Sequence, residues 1–362
     1  MTRVVLTGGG GFLGWHVRAA LRELEADVEL VALGSGADVD GVASAISGAD
    51  LVIHLAGVNR GTDDEVRDGN ALFSTQLADA IRQADQTPAK VVYAGTVHTE
   101  GVYGEAKRAA ADRLAGAVEA SGGRLVDLAL PNIFGEHGRP FYNSVAATFC
   151  HQISRGETPQ IDADRELQLL HAQDAADILI GSVDAEGITD RARRLTVTEL
   201  LSDLRDIAEL YAAGEMPDLS DPFTLALFNT YRSFAHSVRP TQPLINHADA
   251  RGSFFEMAKI RGGEGQTSFS TSMPGVLRGG HFHRRKIERF GVLAGQGRIS
   301  LRRMFTDQVQ SFDVDGENPV VIDMPTMWAH DVVNTGDETL FLGLWISKIY
   351  RPDNPDTILE PV

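Results

Sequence analysis

The chain has 362 residues, of which 43% are hydrophobic, and its formal net charge at pH 7 is −17. This length predicts two domains, and the hydrophobic content is sufficient for a core in each. The negative charge argues against nucleic acid or an anionic membrane as a partner, since both need a basic surface. The single cysteine, Cys150, allows no internal disulfide and fits a reducing compartment.

No stretch of the chain reaches the roughly 18 uninterrupted apolar residues of a membrane span. The apolar run near the N-terminus stops at Gly8, which is unlike a secretory signal peptide. We therefore expect a cytoplasmic protein with no membrane partner.

Residues 3–24 predict a strand, a glycine-rich turn and an amphipathic helix, in the sequence RVVLTGGGGFLGWHVRAALREL. Glycines at this spacing let the backbone turn tightly and approach a pyrophosphate, which then lies at the helix N-terminus. The spacing resembles that of the extended short-chain dehydrogenases. It predicts a nicotinamide-cofactor site that includes Gly8, Gly11, Phe12, Leu13 and Gly14.

Gly34 and Ser35 end the second predicted strand, where NAD-binding proteins usually carry an acid that binds the ribose hydroxyls. The missing acid removes a repulsion against a 2′-phosphate, so we expect NADPH as the cofactor and Ser35 in its site. A contact from Asp38 or Asp40 to the ribose is the alternative.

Residues 50–60, DLVIHLAGVNR, predict a buried parallel strand, because the apolar run is continuous rather than alternating. His54 inside this run is interpreted as a structural histidine, and Asn70 is expected to open a helix and to clamp the local backbone. The segment after His54 resembles the part of extended short-chain dehydrogenases that lines the cofactor, which adds Leu55, Ala56 and Gly57 to the predicted site.

Tyr103 and Lys107 are four residues apart on a predicted helix, so their side chains share one face. A nearby ammonium lowers the pKa of a phenol, which would let Tyr103 exchange a proton with a carbonyl oxygen near neutral pH. Thr96 ends the preceding strand, where its hydroxyl would hold the same oxygen. We interpret these three residues as catalytic, and Tyr103 and Lys107 also as cofactor-binding; a chance pair on a surface helix is the alternative.

Pro131 and Asn132 begin a Pro-Asn-x-x-Gly segment that lies beside the nicotinamide in this family. Both are therefore expected at the cofactor, and Asn132 also at the substrate.

A candidate metal site lies in the C-terminal third of the chain. His281 and His283 alternate, so on a strand their side chains point to the same side. Glu288 and His330 complete a set of three imidazoles and one carboxylate, which suits a divalent transition metal with coordination positions left open. We expect one divalent ion, zinc, at this site; surface histidines in a small β domain are the alternative.

The spacing of these ligands resembles the two motifs of the cupin superfamily. The first motif runs from Gly275 to Gly295 without departure, and the second runs from Pro325 to Asn334 with Met327 where glycine is usual. That substitution puts the local turn in question. We expect an α/β Rossmann domain of the extended short-chain dehydrogenase type in residues 1–240, including a substrate lobe, followed by an all-β cupin barrel in residues 244–362.

Residues 236–243, HSVRPTQP, are interpreted as the linker between the domains. The segment that follows, Asp-x-Arg-Gly-x-Phe, resembles the opening of nucleotide-sugar 3,5-epimerases, in which the arginine meets a substrate phosphate. This resemblance assigns Arg251 to the substrate.

The fusion of the two domains, with short segments such as GVNR, YGEAK and DARGSF, resembles the CapF-type family of capsular-polysaccharide enzymes over nearly the whole chain. The resemblance implies a homodimer that acts on a UDP-sugar with two activities. The zinc-bearing cupin would epimerise C3 of a UDP-4-keto-6-deoxy-hexosamine. The N-terminal domain would then reduce C4 with NADPH to UDP-2-acetamido-2,6-dideoxy-L-talose, the precursor of N-acetyl-L-fucosamine.

Two alternatives remain open at this point. In the first, the protein is a single-activity nucleotide-sugar 4-ketoreductase, and the cupin serves only as a structural or docking module. Alternatively, the protein would be a non-catalytic, NADP-sensing regulator, against which the complete set of Thr96, Tyr103 and Lys107 argues. The residues do not identify the sugar, the metal, the order of the two steps or the epimerisation base.

Overall fold

The computed structural model describes residues 2–244, 247–249, 252–254 and 256–362, and the chain folds into two compact units. Unit 1 consists of Met1–Phe134, Gly138–Val145 and Arg165–Leu195. Unit 2 consists of Gly135–His137, Ala146–Asp164 and Thr196–Val362. The chain therefore passes between the units several times, whereas the sequence boundary at 240–244 divides it once. That boundary stays a prediction about modules along the sequence.

The helices of the described residues are, in chain order, α1 Phe12–Glu23, α2 Val39–Ile46, α3 Asp63–Gln83, α4 Gly101–Ala120, α5 Val145–Ser154, α6 Ala172–Leu179, α7 Gly187–Arg191, α8 Val197–Ala212 and α9 Pro222–Val238. The strands up to the end of α9 are β1 Arg3–Thr7, β2 Asp27–Val31, β3 Leu51–His54, β4 Val91–Thr96, β5 Leu125–Leu130, β6 Asn132–Phe134, β7 Glu166–His171, β8 Arg193–Thr196 and β9 Glu215–Asp218.

The later strands are β10 Thr241–Pro243, β11 His247–Asp249, β12 Gly252–Phe254, β13 Lys259–Gly262, β14 Gln266–Ser272, β15 Leu277–Phe282, β16 Glu288–Ala294, β17 Gln296–Arg303, β18 Val309–Asp315, β19 Val320–Met324, β20 Trp328–Asn334, β21 Leu340–Ile346 and β22 Ile358–Leu359.

Unit 1 is built on a parallel sheet in the order β2-β1-β3-β4-β5. Side chains alternate across it, so Val4 and Leu6 pack against α1 and α6, whereas Val5 packs against α2, α3 and α4. The sheet order reverses direction at β1 and β3, and ligands of such sheets bind beyond the carboxyl ends of the strands at that point. The predicted Rossmann-like domain is confirmed.

Unit 2 contains two antiparallel sheets, in the orders β10-β19-β16-β21-β14 and β18-β17-β20-β15-β22. Both sheets contribute to one hydrophobic core, to which β16 gives Phe290 and Val292 and β17 gives Ile299 and Leu301. The alternating burial along β17 is the pattern of a strand with one face on a core. The predicted β domain is therefore present at the C-terminal end of the described chain.

Two predicted segments differ from the structure. The strand predicted over residues 50–60 is wrong in length, because β3 ends at His54 and the next residues leave the sheet to line a cleft. The linker predicted over 236–243 is wrong, because α9 continues to Val238 and β10 pairs with β19. Pro243 is accommodated there because β10 is an edge strand. Among the described residues, no helix combines the length and the apolarity needed to cross a membrane.

Candidate active site and candidate metal centre

A cleft of about 400 Å³ lies in unit 1 beside the carboxyl ends of β1, β3 and β4. It brings together residues that are far apart in the sequence. The predicted site residues that line it are Gly8, Gly11, Phe12, Leu13, Gly14, Leu55, Gly57, Thr96, Tyr103, Lys107, Pro131 and Asn132. Two predicted cofactor residues, Ser35 and Ala56, do not line it, and Ser35 is exposed beyond the end of β2. Arg251 lies outside the described residues.

The glycine-rich turn is sterically restricted to glycine at two positions. Gly8 has a φ of +71°, and a Cβ there would lie 2.6 Å from the amide nitrogen of Ala56. A Cβ at Gly14 would lie 2.3 Å from the main-chain oxygen of Gly8. Gly11 caps α1 without a side chain, and the first turn contains no acidic residue, so its N–H groups are open to an anion. This geometry fits a bound pyrophosphate.

His54 is buried at the end of β3, and its Nδ1 is hydrogen-bonded to the Thr7 hydroxyl at 2.7 Å. Its ring stacks on Tyr93 with 5.5 Å between ring centroids. Burial, assisted by the charge of Lys107, lowers the pKa of His54 to about 3. The imidazole is thus neutral and enclosed, which supports the structural role interpreted from the sequence.

The sequence predicts that Asn70 opens a helix. In the structure Asn70 instead lies inside α3. Its side-chain amide donates to the main-chain oxygens of Val58 and Val66, each at 2.7 Å. Because Val58 follows the segment that lines the cleft, Asn70 holds that segment against α3. The expected clamp is present, although the helix start was misplaced.

Tyr103 and Lys107 lie in α4 with their side chains at the cleft. The Lys107 ammonium is 4.2 Å from the centre of the Tyr93 ring, and burial, partly offset by Asp127, lowers its pKa to about 8. Burial also raises the pKa of Tyr103, so the expected lowering is wrong for the protein alone. Desolvation of the phenolate has the larger effect, and the phenol stays protonated at neutral pH.

Sequence reasoning missed His98, which lines the same cleft. Its Nε2 lies 3.2 Å from Oδ1 of Asn132, and its main-chain N–H donates to the Thr96 hydroxyl at 3.2 Å. His98 thus links two predicted site residues. The available signal was its place two residues after Thr96, between the strand end and α4.

The candidate metal centre lies within unit 2, where β15, β16 and β20 bring four side chains together. His281 and His330 are register partners on β15 and β20, His283 follows β15, and Glu288 begins β16. The four potential ligand atoms lie within 4.8 Å of one another. Nε2 of His283, His330 and His281 lies 2.8, 3.0 and 3.9 Å, respectively, from Oε2 of Glu288.

In two of the histidines, a main-chain oxygen determines whether the Nδ1 atom carries a proton. Nδ1 of His283 lies 2.6 Å from the oxygen of Asp356, and Nδ1 of His330 lies 3.2 Å from that of Trp328. A main-chain oxygen only accepts hydrogen bonds, so each of these Nδ1 atoms carries a proton, and the Nε2 atom of each ring faces the carboxylate of Glu288. Three imidazole nitrogens and one carboxylate oxygen at this separation are a ligand set that fits a divalent transition metal.

Glu288 keeps its charge in this setting. Burial alone would raise the pKa of the carboxyl group, but hydrogen bonds from the surrounding imidazoles outweigh that effect and hold the pKa well below its usual value. An ionised carboxylate is the form that binds a metal ion.

Met327 occupies the left-handed conformation that glycine would favour, with a φ of +61°. Its main-chain N–H donates to the oxygen of His283 at 2.6 Å, and its side chain is fully buried. The turn questioned from the sequence is therefore formed with methionine, at a backbone cost of about 1 kcal/mol that the burial of the side chain offsets.

Two family models match the chain. The model of the NAD dependent epimerase/dehydratase family matches residues 4–188, and that of the polysaccharide biosynthesis C-terminal domain matches residues 247–358. The UDP-2-acetamido-2,6-beta-L-arabino-hexul-4-ose reductase of Pseudomonas aeruginosa is 31% identical over 365 residues, which cover 98% of this chain and 97% of that protein.

The spore coat polysaccharide biosynthesis protein SpsL of Bacillus subtilis is 30% identical over 124 residues, which cover 31% of this chain and 81% of that protein. Among solved structures, the capsular polysaccharide assembling protein CapF from Staphylococcus aureus is 30% identical, with a TM-score of 0.62. The similarity covers 99% of this chain and 100% of that one. The similarity to CapF therefore extends through both units.

Proposed function

Because the chain belongs to the NAD dependent epimerase/dehydratase family and, within it, to the CapF-type enzymes, we propose that it is a bifunctional nucleotide-sugar enzyme. The reductase module, residues 1–240, reduces C4 of a UDP-4-keto-6-deoxy-hexosamine with NADPH. The cupin module, residues 244–362, epimerises C3 beforehand. The product is UDP-2-acetamido-2,6-dideoxy-L-talose, and the enzyme works as a homodimer.

The observation that carries the reductase step is the position of Thr96, Tyr103 and Lys107 around one cleft with the glycine-rich turn. When bound, the nicotinamide supplies a hydride to the carbonyl carbon. Thr96 orients the carbonyl oxygen, and Tyr103 donates a proton to it. The raised pKa of Tyr103 favours this direction, because the phenol is protonated before the reaction. Lys107 adds a positive charge beside the developing alkoxide.

NADPH is preferred in this proposal because no acidic residue ends β2 and because Asp38, the first acidic residue after it, caps a helix. Gly34 is held by Gln76 through two hydrogen bonds of 2.8 Å, one from the Gly34 N–H and one to its oxygen. The Asp38 carboxylate caps α2 by accepting the N–H of Gly41 at 3.0 Å. A 2′-phosphate next to Ser35 therefore meets no fixed carboxylate from Asp38.

The epimerase step is supported by the cluster of three histidines and one glutamate in unit 2. His281, His283, Glu288 and His330 would hold one divalent ion, for which we propose zinc. When bound, such an ion acts as a Lewis acid that makes the proton next to a ketone easier to remove. The chain's own contribution is to hold the four ligands together, with the Nε2 atoms of the two buried histidines directed at Glu288. Arg251 is proposed to bind a phosphate of the same substrate.

The proposal is tested with the purified full-length protein and a UDP-4-keto-6-deoxy-hexosamine in D₂O. Without NADPH, deuterium is expected to enter at C3, and His330→Ala is expected to abolish this exchange. With NADPH, Tyr103→Phe is expected to lower the rate of reduction roughly 10²–10⁴-fold with unchanged NADPH binding. Tyr350→Phe, at an exposed tyrosine, serves as the matched control.

The outcomes separate the two activities. Reduction without C3 exchange would leave a single-activity reductase with a structural β domain. Exchange without reduction would contradict the catalytic roles proposed for Thr96, Tyr103 and Lys107. Cofactor binding with neither reaction on any UDP-4-keto sugar would favour a sensor.

A further inference from the structure

The cleft in unit 1 has a second group of lining residues, contributed by the loop of residues 138–144. This loop presents Arg139, Tyr142 and Asn143 to the same space that Asn132 and Tyr103 line. The cofactor and catalytic residues described above do not include it. Its side chains lie in the same cleft and have not been assigned a role in hydride or proton transfer.

Tyr142 is flanked by two guanidinium groups. Cζ of Arg139 lies 4.8 Å from the centre of the Tyr142 ring, and Cζ of Arg60 lies 5.8 Å from it. Arg60 belongs to the loop after β3, and its Nη1 donates to the main-chain oxygens of Phe141, at 2.9 Å, and of Tyr142. Arg60 thus fixes the loop that carries Arg139, and each guanidinium is oriented by the aromatic face.

The charge of this arrangement is not neutralised within the described residues, where neither Arg60 nor Arg139 forms an ion pair. By contrast, the exposed Arg67 of α3 is paired with Asp64 at 2.7 Å. In a chain with 50 acidic and 33 basic residues, two adjacent arginines without a carboxylate partner at a cleft create a local positive potential.

We propose that Arg139 binds the diphosphate of the nucleotide-sugar substrate, with Tyr142 and Arg60 as the residues that position it. This inference rests on the proposed function and adds the site of substrate recognition to it. A guanidinium presents a planar fork of N–H donors that matches phosphate oxygens. The glycine-rich turn at the N-terminus of α1 holds the pyrophosphate of the cofactor, so one cleft contains two diphosphate sites built in different ways.

The test uses full-length protein loaded with NADPH and titrated with UDP. The fluorescence of bound NADPH is followed, because the proposed cofactor and UDP sites share the reductase cleft. Arg139→Ala is expected to raise the Kd for UDP roughly 10- to 100-fold, the loss typical of hydrogen bonds to a charged group. Arg139→Lys keeps the charge without the fork and is expected to give a smaller increase.

Arg60→Ala is expected to raise the Kd for UDP less than Arg139→Ala and more than Arg139→Lys, because it releases the loop. In turnover, Arg139→Ala is expected to raise KM for the sugar nucleotide much more than it lowers kcat. Arg67→Ala removes an arginine that is also exposed but is paired with Asp64, and it is expected to leave the Kd for UDP unchanged. The Kd for NADPH is expected to stay within twofold in all variants.

Each deviating outcome has a distinct meaning. Wild-type affinity for UDP in folded Arg139→Ala would overturn the assignment of Arg139 and leave the proposed function intact. If the Kd for NADPH rose in parallel in Arg139→Ala, the assignment of Arg139 to the substrate would be wrong, and Arg139 would contact the cofactor instead. If the wild type binds no UDP at millimolar concentration, the inference and the nucleotide-sugar class of substrate both fail. If Arg139→Ala unfolds, the unchanged affinity of Arg139→Lys and Arg60→Ala would suffice to reject the proposal.

Discussion

Nδ1 of His283 lies 2.6 Å from the main-chain oxygen of Asp356, which is 73 residues further along the chain. The carboxylate of the same aspartate accepts the main-chain N–H groups of Arg284, Arg285 and Lys286 at 3.0, 2.9 and 2.7 Å. Asp356 therefore fixes both the tautomer of His283 and the loop that carries this histidine. Groups in this position orient a metal ligand without touching the metal.

We expect Asp356→Ala to weaken zinc binding by about 10- to 100-fold, the range typical for loss of such an orienting partner. The main-chain oxygen is retained in the variant, but the loop loses three hydrogen bonds and its hold on His283. The measurement is competition with a chelator of known affinity, using the full-length protein. Asp353→Ala, at an exposed position in the same segment, is the control. Equal zinc affinity in both variants would show that the segment does not position the ligand.

We expect the enzyme to use NADPH in preference to NADH, and Ser35→Asp to reverse or reduce that preference. A carboxylate near a 2′-phosphate repels it by about 1–4 kcal/mol, depending on its exposure. The ratio of kcat/KM for NADPH to that for NADH should therefore fall roughly tenfold or more. Asp40→Asn tests the alternative ribose contact and is expected to leave the ratio unchanged. A clear preference of the wild type for NADH, lost in Asp40→Asn, would assign the ribose contact to Asp40.

The neutral His54 makes stability depend on pH in a defined window. Its pKa is about 3 in the folded protein and has the ordinary value of 6.5 in the unfolded chain, so between these values only the unfolded chain takes up the proton. The free energy of unfolding therefore falls as the pH is lowered from 6.5 towards 3, by about 2 kcal/mol at pH 5 for this one residue. Well above pH 6.5 neither state binds the proton, and the histidine adds no pH dependence.

His54→Gln retains a partner for the Thr7 hydroxyl but cannot be protonated. Urea denaturation at pH 7 and pH 5 should show that the variant loses about 2 kcal/mol less stability than the wild type over this interval. The same loss in both proteins would mean that His54 is protonated in the folded state or not enclosed.

A buried ion pair joins β16 to β19. Arg289 donates to both carboxylate oxygens of Asp323, from Nε at 2.6 Å and from Nη2 at 2.8 Å, and Tyr211 donates to Asp323 at 2.6 Å. Burial would raise the pKa of Asp323, but the charge of Arg289 outweighs it and lowers the pKa to about 2. The carboxylate is therefore ionised throughout the physiological range.

We expect Asp323→Asn to destabilise the protein by about 3–5 kcal/mol, because it leaves the Arg289 guanidinium buried without its counter-charge. The control is Asp313→Asn, whose partner Arg298 is half-exposed and whose loss is expected to cost about 0–1 kcal/mol. Both values come from urea denaturation. A cost near that of the control would indicate that water or another acceptor compensates Arg289 in the variant.

Motifs whose residue types are dictated by local geometry could be predicted from the sequence. Gly8 and Gly14 are required by contacts of less than 3 Å, and the four candidate metal ligands are indicated by their residue types and spacing. The pKa of Tyr103 could not be predicted in the same way. It depends on how deeply the helix buries the phenol, which no spacing encodes.

Partners that are distant in sequence could not be predicted either. Asp356 and His283 are 73 residues apart, and Arg60 and Tyr142 are 82 residues apart. Their pairing depends on how separate loops meet in the folded chain. The strand predicted over residues 50–60 failed for a related reason, because the apolar residues after His54 line a cleft rather than a sheet.

Helix α9 precedes the predicted module boundary but is hydrogen-bonded to β19 and to the loop before β16, which both follow that boundary. Arg232 donates to the main-chain oxygen of Met324 at 3.1 Å, and Asn229 donates to that of Arg285 at 3.0 Å. Dividing the gene at codons 240–244 would thus produce one polypeptide in which the buried Arg232 loses one of its two acceptors and another with an uncovered β surface. We expect the two halves to be insoluble when expressed apart and to recover solubility only on co-expression, so that the region that follows the boundary inherits its fold from the helix that precedes it.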